Sequence, residues 1–237
     1  MPEVIAFDVN ETLLDLRALD EPFQRLFGAP GMRTQWFGTM LQLSFVGGLT
    51  GSYVDFTTAQ RAALRMLAER ERVALTERQV TDTVALMERL PPHPDVPRAL
   101  ARLAGSPLRL VALTNSVATT AHAQLAHAGL LGLFEHVVSA DTVRRLKPAP
   151  EPYHEVARVC GVTPGGIRLV AAHTWDVSGA LAAGCHAAFV GRPGAVPSPL
   201  GPRPDIVAPD IATAADLILE RDAGGPPAAP MPPGHRP

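Results

Sequence analysis

The stretch that decides the fold is Val4-Ile5-Ala6-Phe7-Asp8-Val9-Asn10-Glu11-Thr12, near the start of the chain. Its first four residues form a continuous apolar run, which is typical of a strand buried on both faces of a parallel sheet. The run ends at the carboxylate of Asp8. Ligands of an open parallel sheet bind beyond the carboxyl ends of its strands. Asp8 therefore lies where a catalytic group is expected, although an Asp in this place can also serve as a simple turn or cap residue.

Further apolar runs follow later in the chain, and we predict that each is a strand. They cover residues 108–113, 136–140, 167–172, 187–190 and 205–207. Helix-like stretches over 118–128, 150–160 and 177–183 separate most of them. Strands that alternate with helices predict an α/β fold, with a Rossmann-like parallel sheet covered on both faces and right-handed crossovers.

The segment from about Asp15 to Leu90 differs because it contains no convincing strand. Thr76-Glu77-Arg78-Gln79 has the pattern of a capping box, which opens a helix. The spacing of apolar residues predicts helices with buried faces, and these faces include Trp36, Met40, Leu43, Leu64, Leu67 and Ala68. We therefore predict a helical segment inserted directly after the first strand, in a position to cover the site.

These patterns divide the chain into three parts. We predict an α/β core over residues 1–14 and 92–220, and a helical cap domain over residues 15–91. Residues 221–237 are rich in proline, glycine and alanine, and we expect this tail to be disordered.

The composition excludes several classes of protein. The net charge is −2 and both signs are scattered, whereas a nucleic-acid surface needs clustered Lys and Arg. Cys160 and Cys185 lack the spacing of a metal site or a redox pair, so we expect two small buried hydrophobes. Met1-Pro2-Glu3 leads straight into a strand-like run, and no apolar stretch is long enough to span a bilayer. We expect a cytoplasmic protein without a nucleic-acid or membrane partner.

Polar residues lie at the ends of the predicted strands. Thr114-Asn115-Ser116 ends the second strand, His173-Thr174-Trp175-Asp176 follows the fourth, and Lys147 lies in the loop after the third. Together with Asp8, these segments are predicted to converge on one pocket.

Each of these residues has a simpler interpretation when it is taken alone. Thr114 and Asn115 have the composition of caps for the following helix, and Asp176 is placed to cap a helix that begins at Val177. Lys147 alone is compatible with a solvated loop lysine. His173 alone is compatible with a hydrogen-bonded interior histidine, and Trp175 with a core or pocket-wall residue. The ordered set, one group at each strand end, favours a functional site.

The same segments resemble the motifs of the haloacid dehalogenase superfamily. The resemblance spans Pro2 to Ile218, and the helical insert matches the cap of the type II 2-haloacid dehalogenases. The four motifs occur in the family order and read Phe7-Asp8-Val9-Asn10-Glu11-Thr12-Leu13-Leu14-Asp15, Leu113-Thr114-Asn115-Ser116, Lys147-Pro148 with Tyr153, and Ala171-Ala172-His173-Thr174-Trp175-Asp176.

The resemblance implies a role for each catalytic candidate. Asp8 would attack a carbon atom and form an ester, and Lys147 would hold Asp8 ionised and oriented. Thr12 would orient the carboxylate. Asp176 would position or activate the water that cleaves the ester. The implied reaction converts a 2-haloacid to a 2-hydroxy acid with inversion, and it uses no metal and no cofactor.

The resemblance also implies the residues that bind the substrate, a small halogenated carboxylic acid. Thr114 and Asn115 would hold its carboxylate and help to cradle the departing halide. The remaining candidates would contact substrate oxygens or line the pocket, and they are Val9, Asn10, Tyr153, His173 and Trp175. The family further suggests a homodimer.

Two positions favour the dehalogenase over a magnesium-dependent phosphatase of the same fold. Superfamily phosphatases carry a second Asp as general acid where this chain has Asn10, and an amide has no proton to give at neutral pH. They also carry an acidic Mg²⁺ ligand near the place of His173, which is a poor ligand for this cation. The phosphatase, and a non-catalytic small-acid binding protein, stay open as alternatives.

The chain also departs from the type II dehalogenases. The family has Tyr at the position of Asn10, Gly at Glu11, and Ser and Asn at Ala171 and His173. A family Arg that receives the halide falls at Gly38. The sequence does not show which residue replaces this Arg. Arg33, Arg61 or Arg65 would have to reach the pocket from elsewhere. As a hypothesis, His173 supplies part of the missing positive charge or hydrogen-bond donor.

Overall fold

The computed structural model describes residues 1–224. Within them it contains a six-stranded parallel sheet, which confirms the predicted α/β class. Every predicted strand is present, with ends shifted by no more than one residue. The strands are β1 (Val4–Phe7), β2 (Arg109–Thr114), β3 (His136–Ser139), β4 (Ile167–Ala171), β5 (His186–Val190) and β6 (Ile206–Ala208).

The order of the strands brings the predicted polar groups together. It is β3-β2-β1-β4-β5-β6, so the chain builds one half of the sheet outward from β1 and then returns to build the other half. Phe7 is in register with Ala112 of β2 and with Val170 of β4. The carboxyl ends of β1, β2 and β4 therefore lie side by side at a topological switch point, where such sheets bind ligands.

Helices cover both faces of the sheet. Alternate residues of β1 point to opposite sides, and all four are apolar, so both sides must be buried. Val4 and Ala6 pack in one apolar cluster, and Ile5 and Phe7 in the other. The first cluster includes α7 (Pro150–Cys160) and α8 (Thr174–Ala182), and the second includes α5 (Val96–Ala104), α6 (Ala118–His127) and α9 (Ile211–Asp222).

The segment between β1 and α5 is helical, as predicted. From Asp15 to Leu90, all within the described part of the chain, helices occur and no strand does. The helices are α1 (Asp20–Phe27), α2 (Met32–Thr50), α3 (Phe56–Arg70) and α4 (Glu77–Ala85), with short 3₁₀ turns at Leu16–Leu19 and Leu86–Arg89. Thr76 and Gln79 form the predicted capping box at the start of α4.

The inserted helices share one apolar cluster with the second face of the sheet. Trp36 of α2 is fully buried, packs against Phe23 with the two rings tilted, and donates its indole hydrogen bond to the backbone oxygen of Gln60. Leu64 and Leu67 of α3 are buried in the same cluster. This shared packing holds the helices above the carboxyl edge of the sheet.

Two boundaries differ from the sequence expectations. Helix α8 begins at Thr174 and its N-cap residue is His173, so the alternative in which Asp176 caps a helix starting at Val177 is wrong. Asp176 instead lies in the first turn of α8. Helix α9 continues to Asp222, two residues into the predicted tail, because the Asp222 carboxylate is bonded to the buried guanidinium of Arg168 at 2.5 and 2.9 Å. The rest of the predicted tail, residues 225–237, lies outside the described residues.

Two expectations from composition concern the cysteines and the membrane. Cys160 and Cys185 are free and buried, as predicted. Among residues 1–224, no helix combines the length and the apolar character needed to cross a lipid bilayer.

Candidate active site

Asp8 lies directly after β1 and is almost completely buried, with 4% of its surface exposed. Its Oδ1 accepts a hydrogen bond from Lys147 Nζ at 2.9 Å. Its Oδ2 accepts one from Thr12 Oγ1 at 2.6 Å and lies 3.0 Å from Nδ1 of His173. Groups from the first, third and fourth motifs thus converge on one carboxylate, which is the arrangement that the sequence predicted.

Lys147 is the only lysine among the 237 residues and its side chain is fully buried. Its ammonium donates to Asp8, to Asp176 Oδ2 at 2.6 Å and to the backbone oxygen of Leu113 at 2.9 Å. An ammonium has three protons, so every donor is used. The alternative of a solvated loop lysine is therefore wrong.

Charges around Asp8 decide its protonation. Burial raises the pKa of the Asp8 carboxyl, but the charges and hydrogen bonds of Lys147 and His173 outweigh burial and bring that pKa well below its ordinary value. Burial acts oppositely on Lys147, whose pKa is nevertheless raised by Asp176 and Asp8. The pKa of Asp176 is raised, first by burial and then by the neighbouring negative charge of Asp8. Asp8 is the more strongly anionic carboxylate because it has more donors around it.

Asp176 is enclosed by protein on every side, with none of its surface exposed. Besides Lys147 at Oδ2, it accepts a hydrogen bond at Oδ1 from the Tyr153 hydroxyl at 2.6 Å. Gly179 permits this packing. A Cβ atom there would lie 2.6 Å from the Tyr153 hydroxyl and from the Pro148 oxygen, so a larger residue would push α8 away. Both carboxylate oxygens of Asp176 are occupied by side chains.

His173 connects Asp8 to a second carboxylate. Its Nδ1 faces Asp8 Oδ2, and its Nε2 lies 2.9 Å from Glu11 Oε2. Burial lowers the pKa of His173, but hydrogen bonds and charges from Asp8 and Glu11 raise it to about 9. With this pKa the ring is an imidazolium at neutral pH. His173 is thus a hydrogen-bonded interior histidine, as the simpler interpretation had it, and both of its partners are carboxylates. Behind it, Arg33 Nη1 lies 3.3 Å from Glu11 Oε1.

Glu11 holds an uncommon backbone conformation. Its φ is +62°, in the left-handed region that residues with a Cβ atom rarely adopt. In the sequence, Glu11 stands out only as a departure from a family Gly, and it was not predicted as a site residue. Such strain is typically retained at functional sites. A glutamate at a position suited to glycine was the available signal.

Thr12 ties the first motif to the fourth. Its hydroxyl donates to Asp8 and accepts a hydrogen bond from the backbone N–H of Ala172 at 2.9 Å. This pair of bonds fixes both the rotamer of the Asp8 carboxylate and the loop that carries His173.

The predicted substrate-binding residues near β2 contact the protein itself. Asn115 Oδ1 accepts from the Lys147 backbone N–H at 2.8 Å, and its Nδ2 donates to the Lys147 oxygen at 3.2 Å, so Asn115 holds the lysine loop. Thr114 Oγ1 accepts from the Ser116 N–H. Helix α6 has Val117 as its N-cap residue, without a side-chain cap, so the capping alternative for Thr114 and Asn115 is wrong.

The two predicted binding residues after Asp8 are also buried. The Asn10 amide donates to Ser116 Oγ at 3.2 Å and accepts from Gln124 Nε2 at 2.9 Å. Val9 is fully buried in the apolar cluster beneath the inserted helices. Their side chains therefore brace the loop that carries Asp8.

A cavity of about 540 Å³ opens between the inserted helices and the sheet edge. His173 and Glu11 line it, whereas Asp8 does not, so His173 forms the wall between the nucleophile and the open space. The His173 ring stacks on Phe37 of α2, with ring centroids 5.8 Å apart, and on Trp175, with centroids 4.9 Å apart.

The cavity shows which arginine reaches the site. Gly38 and Arg33 line it. Arg61 and Arg65 instead bond to Thr81 and Glu77 on the exposed side of α3. Of the three arginines considered from the sequence, Arg33 is the one at the cavity wall.

Comparison with known proteins places this geometry in context. The chain matches the haloacid dehalogenase-like hydrolase family over residues 2–184. It is 30% identical to haloacetate dehalogenase H-2 of Moraxella sp. (strain B) over 218 residues, which are 91% of this chain and 97% of the relative. It is 32% identical to (S)-2-haloacid dehalogenase of Xanthobacter autotrophicus over 194 residues, which are 81% of this chain and 76% of the relative.

Two solved structures extend the comparison. The L-2-haloacid dehalogenase of Xanthobacter autotrophicus with covalently bound chloropropionic acid superposes with a TM-score of 0.86 at 28% identity, over 94% of this chain and 100% of that one. A predicted phosphoglycolate phosphatase from Haemophilus somnus superposes with a TM-score of 0.64 at 20% identity, over 91% of this chain and 97% of that one. The second likeness concerns the fold alone.

Proposed function

The chain belongs to the haloacid dehalogenase-like hydrolase family, and from that premise we propose that it hydrolyses the carbon–halogen bond of a 2-halo carboxylic acid. The product is the 2-hydroxy acid, formed through an ester on Asp8. One observation carries the proposal, namely the buried Asp8 carboxylate held anionic by Lys147 at 2.9 Å beside the cavity. The likeness to dehalogenases over nearly the whole chain supports it.

The first step is a displacement at carbon. An Asp8 oxygen attacks C2 of the acid from the side opposite the halogen, the carbon–oxygen bond forms, and the halide leaves with the bonding electrons. Configuration at C2 is inverted. A carboxylate is a weak nucleophile in water because hydration stabilises it, so burial makes Asp8 more reactive as long as Lys147 keeps it charged.

The departing halide needs a positive or donating neighbour. The imidazolium of His173 lies at the cavity wall but contacts the Asp8 carboxylate itself, whereas a halide displaced in line leaves on the far side of C2. The hypothesis that His173 offsets the absence of an Arg at Gly38 therefore stays a prediction that this position does not support. Arg33 adds positive charge one contact further away through Glu11. Leaving-group stabilisation by one well-placed donor is commonly worth about 3–4 kcal/mol.

The second step returns Asp8 to its starting form. Water attacks Cγ of the ester, the bond between this carbon and the substrate oxygen breaks, and the alkoxide takes a proton to become the hydroxy acid. The water oxygen stays in the Asp8 carboxylate. In the family pattern Asp176 positions or activates this water, and that role stays a prediction.

A magnesium-dependent phosphatase is a less suitable function for these residues. The protonated His173 lies 3.0 Å from Asp8 Oδ2, and its positive charge opposes a divalent cation at this carboxylate. Asn10 has no acidic proton, and both ends of its amide are occupied by Ser116 and Gln124. Halide departure needs no proton, so neither feature hinders it.

A homodimer is the further part of this proposal. Val46 and Leu49 of α2 and Met66 of α3 are large apolar side chains that are about half exposed or more on the inserted helices. A second copy is the partner that the family resemblance suggests for this surface. Light scattering at several concentrations tests it, and the cytoplasmic location stays a prediction.

Halide release tests the function directly. The protein is incubated with 2-chloropropionate and the free chloride is measured, with p-nitrophenyl phosphate, with and without EDTA, in parallel. We expect chloride release that EDTA does not change and no release by Asp8→Asn, while the exposed control Asp82→Asn behaves as the unaltered protein. Metal-dependent phosphate release without chloride would favour the phosphatase. Tight binding of the acid without turnover, retained in Asp8→Asn, would favour the binding protein.

A further inference from the structure

We propose that His173, oriented by Glu11, is the general base that activates water in the ester-hydrolysis step. The inference rests on the proposed function and extends it, because it assigns the proton transfer to a histidine–glutamate pair instead of to Asp176. It follows from the contacts of Asp8, His173 and Glu11, which form a nucleophile, a base and an orienting carboxylate in a continuous row.

The geometry of the pair suits a base. Nδ1 of His173 lies 3.0 Å from Asp8 Oδ2, one oxygen away from the carbon that water must attack. Its Nε2 is held by Glu11 Oε2 at 2.9 Å, which fixes the orientation of the ring. Phe37 and Trp175 both stack on the ring and restrict its tilting. His173 also lines the cavity, so water from that space reaches it.

Asp176 is poorly placed for the same task. Its two carboxylate oxygens are bonded at 2.6 Å to Lys147 and Tyr153, and none of its surface is exposed. A base must lie within hydrogen-bond reach of the water, either directly or through one further water, and no surface of Asp176 is open to the cavity. Asp176 acts as a positioning residue, since it holds the ammonium of Lys147 against Asp8.

Formation of the ester changes the state of His173. Before reaction, the Asp8 anion helps to keep the ring protonated. The ester is neutral, so this contribution disappears and burial favours release of the proton through the cavity. The ring then has a free Nδ1 lone pair at the moment when a base is required, while Glu11 still accepts the Nε2 proton.

The proton transfers balance. His173 Nδ1 takes a proton from water as the water oxygen bonds to Cγ of Asp8. The tetrahedral intermediate expels the 2-hydroxy acid alkoxide, which receives that proton from His173. Asp8 is left as a carboxylic acid and passes its proton to His173, which restores the ion pair. The complete cycle consumes one haloacid and one water, and it releases one hydroxy acid, one halide and the proton lost after the first step.

The backbone of Glu11 is a separate observation in favour of the pair. Its φ of +62° is a conformation in which glycine is tolerated at lower cost than glutamate. The strain places the carboxylate where it meets both His173 and Arg33.

The test compares the two chemical steps in His173→Gln and Glu11→Gln. 2-Chloropropionate is mixed with excess protein, chloride is followed through the first turnover, and intact-mass spectrometry measures the adduct on Asp8. We expect the ratio of ester hydrolysis to alkylation to fall roughly 100-fold or more in His173→Gln and by a smaller factor in Glu11→Gln. The ester then accumulates.

Added imidazole, which the cavity admits, is expected to restore hydrolysis in His173→Gln. His122→Gln, an exposed histidine on α6, is the matched control and is expected to behave as the unaltered protein.

The outcomes separate the two proposals. If the unaltered protein releases no halide and forms no adduct, the proposed function fails and the base assignment fails with it. If the unaltered protein turns over and His173→Gln does so without accumulating ester, or loses alkylation more than hydrolysis, the function stands and the base assignment is wrong. Glu11→Gln gives the same comparison if His173→Gln does not fold. Accumulated ester in Asp176→Asn, with rapid hydrolysis in His173→Gln, would return the role to Asp176.

Discussion

The two sides of the Asp8 carboxylate are built differently. On the Oδ1 side, Lys147 and Asp176 are fully buried, and their polar groups are bonded to protein. On the Oδ2 side, His173 and Glu11 reach a cavity of about 540 Å³ and connect to Arg33 on the inserted helices. We call these the closed side and the open side.

The difference separates two requirements of the reaction. The nucleophile must stay charged in a dry environment, and a buried ammonium with no spare donor provides this on the closed side. Water and substrate must still reach the site, and on the open side the cavity lined by His173 and Glu11 gives them a route. The contribution of each side to stability and to chloride release is measured by variants of its residues.

Loss of the ammonium is expected to have the largest effect. Lys147→Met leaves two buried carboxylates without their cation, so we expect the free energy of unfolding to fall by about 3–5 kcal/mol. Chloride release is expected to fall roughly 100–1,000-fold, because the pKa of Asp8 rises. Urea unfolding and steady-state chloride release measure the two quantities. Arg78→Met, which removes an exposed cation, is the control. A Lys147→Met protein as active as the unaltered protein would show that the ammonium is not needed to keep Asp8 charged.

The open side is expected to titrate. The folded-state pKa of His173 is raised to about 9, above its ordinary 6.5, through Asp8 and Glu11. Its contribution to stability is therefore complete below pH 6.5 and is lost as the pH rises through about 9. We expect the difference in unfolding free energy between the unaltered protein and His173→Gln to shrink by up to about 3 kcal/mol over this window. Chemical unfolding at a series of pH values measures it, and a constant difference would show that the ring is neutral.

The packing of the closed side is tested at Gly179. A Cβ atom there would lie 2.6 Å from the Tyr153 hydroxyl, so we expect Gly179→Ala to lower the unfolding free energy by about 1–3 kcal/mol and to reduce chloride release. Gly132→Ala is the control, since a Cβ atom at Gly132 has no neighbour within 4 Å in the described residues. Equal stability of the two variants would contradict the close approach of α8 to the lysine loop.

The smallest effect is expected at the wall of the cavity. Among residues 1–224, the buried Nε1 of Trp175 has no hydrogen-bond partner. Trp175→Phe keeps an aromatic ring against His173 and Phe45, and it removes this unpaired donor. We expect the unfolding free energy to change by less than about 1 kcal/mol, because lost packing and a relieved buried donor oppose each other. A loss above 3 kcal/mol would show that the indole N–H is satisfied in the folded protein.

Much of the closed side followed from the sequence. Buried strands are continuous apolar runs, and the groups that follow them must meet at one edge of a parallel sheet, so the approach of Lys147 to Asp8 was predictable. The hydrogen-bond partners of Asn115 and Asn10 could not be predicted from the sequence. Whether an amide meets substrate or braces a loop depends on side-chain rotamers and on distant contacts, such as the one between Asn10 and Gln124.

The open side was predicted less completely. The contact between His173 and Glu11 depends on a left-handed turn at Glu11, and no spacing rule reports a positive φ in a residue other than glycine. The start of α8 at Thr174 was missed because Asp176 is a residue type typical of helix caps, whereas His173 occupies the cap position with an extended backbone. Phe37 was not predicted as a site residue, because its contact with the site depends on the tertiary packing that stacks it on His173.

The central claim is that Asp8 forms a covalent ester whose carbonyl carbon is attacked by water. The most direct measurement is a single turnover of 2-chloropropionate in H₂¹⁸O with protein in excess, followed by mass spectrometry of the peptide that contains Asp8. The account predicts one ¹⁸O atom in the Asp8 carboxylate and none in the hydroxy acid of that first turnover. Label in the first-turnover product, with an unlabelled Asp8, would mean that water displaces the halide directly and would contradict the account.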